Sequence, residues 1–95
     1  MTVATFQAAV SAYQRGDPAH ARQLCDQVLL TQPRHFDALF LKGVIEAQTG
    51  RLLDAVACFE RAVAIEAKHA AVRFQLGAAL QMLERHEAEI GRAHV

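Results

Sequence analysis

A repeat with a period of 34 residues constrains this chain more than any other feature. Gly16 recurs as Gly50, Gly43 as Gly77, Ala21 as Ala55, and Phe6 as Phe40 and then Phe74, always 34 positions on. That is the length of a helix-turn-helix unit whose apolar face needs a neighbouring unit to cover it, so such units stack into a solenoid. Composition agrees: Ser11 is the one serine, asparagine and tryptophan are absent, and there are only two prolines. Turn-rich β structure is disfavoured, and an all-α fold is expected. The pattern predicts helices at 2–15, 18–31, 36–49, 52–66 and 70–83, paired antiparallel as an α-solenoid. Leu24, Val28 and Leu29, then Val56, Phe59 and Val63, fall at three- and four-residue spacing, as one buried helical face requires.

Small residues have defined places in this scheme. Gly16 and Gly50 follow predicted helices and can take the left-handed conformation that ends them. Asp17 can cap the next helix, with Pro18 in its first turn. Gly43 and Gly77, like Ala9, fall in mid-helix, where glycine costs about 1 kcal/mol relative to alanine. Close approach of the paired helix is the expected compensation.

These residues resemble the tetratricopeptide-repeat family. The clearest unit is 36–69, where Leu39, Gly43, Gly50, Ala55, Phe59 and Ala62 stand at the family's large, small, turn, small, aromatic and small positions. Unit 2–35 is similar through Ala9, Ala12, Gly16, Ala21, Val28 and Pro33, with Cys25 in the aromatic place. A third unit, 70–88, begins with Leu76, Gly77 and Leu80 and then departs from the pattern, since Glu89 stands where a small residue belongs at a helix crossing. A carboxylate buried there without a partner is unfavourable unless it reaches solvent. The run from Ile90 to Val95 also resembles what one reading frame of a common sequencing adapter encodes. Residues 1–88 are therefore expected to be the repeat array of an N-terminal fragment of a bacterial protein, and 89–95 a read-through tail. An uncovered third helix is expected to expose Leu76, Leu80 and Leu83 and to favour self-association.

The resemblance implies a function as a scaffold. In the family, the first helix of each unit lines a concave groove that holds a peptide or partner domain. The corresponding residues here are Phe6, Val10 and Tyr13, then Asp37, Phe40 and Val44, then Phe74, Ala78 and Gln81, with Val3, Ala47 and Ala71 on the same surface. Either the phenylalanine rings anchor a ligand, or each packs on its neighbour and stiffens the array. Family members that grip the acidic C-terminal tails of heat-shock chaperones present Lys, Asn and Arg in the groove. Here Phe6, Val10, Phe40 and Val44 stand instead. The asparagine ladder of arrays that feed a glycosyltransferase is likewise replaced by Gln7, Leu41 and Gln75. The alternative to a scaffold is the recognition segment of a larger glycosyltransferase, sulfotransferase or methyltransferase.

Other chemistry finds little support. Ten Lys plus Arg balance ten Asp plus Glu without runs of one sign, which disfavours nucleic acid and anionic lipid as partners. No stretch is long and apolar enough for a membrane helix, and the uncharged N-terminus lacks the basic start of a signal peptide. A cytoplasmic protein is expected. Cys25 and Cys58 form no metal or redox motif and read as small core residues. His20, His35, His69, His86 and His94 lack the i, i+4 spacing of a zinc motif and read as solvated loop or surface residues. Ser11 has no histidine or acid near it in sequence, and phosphate-binding glycine loops are absent, so neither catalysis nor a cofactor is expected. Arg22, Asp26, Arg51, Asp54, Glu60 and Arg61 read as solvated faces.

Overall fold

A computed structural model of the chain describes residues 2–93. His94 and Val95, part of the expected tail, lie outside the described residues. Among the described residues the structure is helical throughout: α1 (Thr2–Gln14), α2 (Pro18–Thr31), α3 (Phe36–Gln48), α4 (Leu52–Ile65) and α5 (Ala70–Ala93). Each helix packs on the next, and α3 also touches α5, giving an elongated body of 52 × 29 × 20 Å.

Short connections force each pair antiparallel, and their geometry repeats. Gly16 and Gly50 hold φ of +82° and +84°, the left-handed conformation that glycine adopts without strain. Beyond them the Asp17 N–H donates to the Ala12 carbonyl at 2.9 Å and the Arg51 N–H to the Glu46 carbonyl at 2.8 Å, closing the carbonyl ends of α1 and α3. Asp17 then caps α2, its Oδ1 accepting from the His20 N–H at 3.2 Å, with Pro18 as the first helical residue.

Packing follows the small residues. The main core gathers Leu39, Ala55, Val56, Phe59, Ala62, Val72 and Ala79, and a second cluster joins Ala12, Ala21 and Ile45. At its centre the Phe59 ring packs against Gly43: a methyl group on that glycine would sit 2.5 Å from Phe59 Cε1. The expected close approach at Gly43 is thus present, midway along both helices. At Gly77 it is not, because nothing lies within 4 Å of the equivalent position.

The fifth helix departs from expectation in two ways. It does not stop near residue 83 but runs on to Ala93, since Glu84, Arg85, Glu87 and Ala88 are favourable helix formers and no proline or capping residue interrupts them. Glu89 consequently meets solvent on this extension instead of a helix crossing. Leu76 and Leu83 are not exposed as expected either; they pack against the main core, leaving Leu80 (42% exposed) and Phe74 (74%) uncovered.

Candidate functional site

The first helices of the first two units, α1 and α3, flank an open hollow of about 490 Å³ lined by Phe6, Val10, Tyr13, Asp37, Phe40, Leu41 and Val44. Six of the eight residues placed on this surface in those two units line one hollow, while Val3 is exposed and Ala47 packs against the main core. Leu41 joins them although its place in the register suggested a ladder position. It was recoverable from helical geometry, because residues 37, 40, 41 and 44 share one face of α3. The remaining three candidates lie elsewhere: Phe74, Ala78 and Gln81 border a smaller hollow of about 260 Å³ with Arg73 and Gly77.

Two polar features bound the apolar wall. Asp37 is exposed in the first turn of α3, where its charge suits the helix N-terminus. Near the other end, Gln48 Nε2 donates to the Tyr13 hydroxyl oxygen at 2.8 Å. That leaves the phenolic proton of Tyr13 free to donate outward.

The phenylalanines are held by histidines rather than by one another along the stack. The Phe6 and His35 rings lie 5.1 Å apart, and one period later Phe40 and His69 lie 5.9 Å apart. Phe40 also meets Phe59 edge-on at 6.2 Å and Phe36 at 6.1 Å, and His69 meets Phe36 at 4.8 Å. These histidines are not the solvated loop residues expected. His35 Nδ1 accepts from the Ala38 N–H at 3.0 Å and His69 Nδ1 from the Val72 N–H at 3.4 Å, so both cap the helix that follows. Their recurrence at a helix start, 34 residues apart, was the available signal. His20 and His86 are exposed, as expected.

The opposite side of α3 faces a second, polar hollow of about 480 Å³ between α2 and α4, bordered by Arg22, Asp26, Lys42, Glu46, Arg51, Asp54 and Arg61. Several of these are committed partners rather than a solvated face. Asp26 pairs with Lys42 at 2.6 Å, Arg22 with the buried Glu46 at 3.4 Å, and Arg61 donates to the Pro33 carbonyl at 2.9 Å. Burial alone would lower the Lys42 pKa, but the hydrogen bond and charge of Asp26 outweigh it and raise the value. These contacts tie the first unit to the second. Lys42 and Glu46 carried no sequence signal, because a charged residue on a helix usually faces solvent.

Beneath this hollow, Cys25 and Cys58 are buried free thiols. Burial, reinforced by the charge of Asp26, raises the pKa of Cys25 to about 12, and burial also raises that of Cys58. Neither thiol is poised as a nucleophile, since reactivity belongs to the thiolate. Among the described residues no group of His, Cys, Asp and Glu could hold a metal ion, and no helix is long and apolar enough to cross a membrane.

The paired-helix register, the ring against a small residue and the groove between first helices have counterparts in known proteins. The signature described as tetratricopeptide repeat matches residues 6–71. The chain belongs to the tetratricopeptide-repeat family. Similar curated relatives are FK506-binding protein-like of Mus musculus, 35% identical over 77 residues, and that of Homo sapiens, 40% identical over 62 residues. The match covers 81% of this chain and 22% of the mouse protein, and 65% and 18% for the human one, so the chain spans about a fifth of these relatives. Among solved structures, a mutant of the Thermobaculum terrenum O-GlcNAc transferase matches with a TM-score of 0.75 and 30% identity, over 83% of this chain and 16% of that one. Tetratricopeptide repeats generally mediate protein–protein interaction, and this repeat segment has the fold for that role.

Proposed function

We propose that this tetratricopeptide-repeat segment is a non-catalytic interaction module whose hollow between α1 and α3 receives a short apolar segment of a partner protein. The supporting observation is the convergence of Phe6, Val10 and Tyr13 from one helix with Phe40, Leu41 and Val44 from another around a single cavity. Aromatic side chains on a stiff scaffold supply contact area at low entropic cost, and the caps and ring stacks of His35 and His69 stiffen this one. Phe74, Ala78 and Gln81 would extend the surface along α5, and the whole would operate in the cytoplasm on protein or peptide, not on nucleic acid or membrane. The test is amide chemical-shift mapping with a bound peptide. Shifts confined to the walls of the α1–α3 hollow, and lost in Val10→Gln, are expected; shifts centred on the α2–α4 hollow instead would refute the assignment.

A second reading has its own support in the likeness to an O-GlcNAc transferase, of which the segment spans 16%. On that reading the repeats present substrates to a transferase domain of a longer chain. Recovering the longer coding sequence separates the two: a donor-binding domain favours the transferase, and further repeats alone favour the scaffold. The same sequence tests whether 89–95 is a read-through tail, because a natural stop after Val95 would defeat that assignment. Exposed Phe74 and Leu80 would support self-association, for which sedimentation at several concentrations is the check.

A further inference from the structure

Resting on the groove reading, we infer that the partner segment is cationic beside its apolar anchor, a Lys or Arg within about three residues of a large apolar side chain. Acidic segments are disfavoured. Asp37 is the only charged residue lining the α1–α3 hollow, and no ion pair engages it among the described residues. Of the cations nearest in sequence, Arg34 does not line the hollow, and Lys42 lies on the far side of α3, paired with Asp26. An acidic ligand would therefore meet one carboxylate and no counter-charge, whereas a basic one gains an attraction as it approaches.

Geometry sets the length and direction of the segment. Phe6 and Tyr13 are seven residues apart on one helix, so the hollow runs about 10 Å along α1 at 1.5 Å per residue. About three residues of extended chain fill that distance. Asp37, at the start of α3, and Tyr13, at the end of α1, mark opposite ends. With its oxygen already accepting from Gln48, the Tyr13 hydroxyl donates its proton to a ligand backbone carbonyl. The cation sits at the Asp37 end, apolar side chains lie against Phe6, Val10 and Phe40, and a carbonyl meets Tyr13.

Selection of random heptapeptides displayed on phage, at about 50 mM salt, tests this without presuming a ligand. Enriched peptides should carry Lys or Arg within three residues of Phe, Leu or Ile. Fluorescence anisotropy of the leading peptide should show about three-fold weaker binding to Asp37→Asn, as for an exposed ion pair, and less effect in 0.5 M salt. Selection on Asp37→Arg should switch to acidic peptides. Loss of a helix-dipole contact alone would lower the melting temperature of these variants without changing which charge is selected. Acidic or uncharged winners, or an unchanged charge preference in Asp37→Arg, overturn the cationic ligand while leaving the groove standing if Val10→Gln still abolishes binding. Undiminished binding in Val10→Gln, or no enrichment at all, defeats the groove and the inference together.

Discussion

The second and third units start from the same glycine and end differently. At Gly43 the ring of Phe59 occupies the space a side chain would need, while at Gly77, one period on, that space is open. A mid-helix glycine is a liability in isolation and becomes an asset only when a neighbour uses the gap. The first unit offers a third variation: the register places Ala9 and Cys25 where the second has Gly43 and Phe59, a larger residue on one helix facing a smaller one on the other. Alanine for glycine adds one methyl group while cysteine for phenylalanine removes a ring, so this pair carries less side-chain volume than the second unit's.

Replacing the ring itself should give the largest effect. Phe59 is fully buried, so Phe59→Ala should cost about 3–5 kcal/mol, read by urea denaturation followed by circular dichroism. Phe74→Ala, in the third unit, should change stability by less than about 0.5 kcal/mol, because that ring is 74% exposed. Equal losses at the two positions would erase the contrast between the units.

Alkaline pH probes the same seam through its thiols. Cys25 has its pKa raised from 9.0 to about 12 by burial and then by Asp26, and burial raises Cys58 too. The folded chain thus keeps protons that the unfolded chain releases, so this stabilisation is complete below pH 9.0 and is lost as pH rises towards 12. The loss is on the order of a few kcal/mol at the upper end, and Cys25→Ala should flatten that part of the pH–stability profile. A profile unchanged by Cys25→Ala would place the thiol in solvent.

Gly43→Ala should cost about 1–3 kcal/mol through overpacking against Phe59. With Phe59→Leu already present the cost should shrink, giving a coupling of at least about 0.5 kcal/mol in a double-mutant cycle. The smallest effect has the opposite sign. Gly77→Ala, with open space around it, should stabilise by up to about 1 kcal/mol.

Much of this was legible beforehand because repetition writes the same physics several times. The turn glycines, Asp17 and the small-residue seam each follow from a local rule, and the 34-residue register brings Phe6 and Phe40, Val10 and Val44 to one hollow without knowledge of the loops. What escaped depends on partners across helices. Glu46 looks like any surface carboxylate until Arg22, 24 residues away, is seen to cover it. His35 and His69 were read by their exposure class rather than by their place at a helix start. The length of α5 is hidden because the repeat pattern breaks where the helix does not, the local propensities favouring continuation.

The ring over Gly43 admits a direct measurement in solution. Nuclear Overhauser spectra should show cross-peaks from the Phe59 ring protons to the Gly43 Hα pair, with those Hα resonances displaced by the ring current, while Gly77 Hα shows neither. Absence of the Phe59–Gly43 cross-peaks in the folded chain would mean that α3 and α4 do not meet along this seam, and the paired-helix account would be wrong.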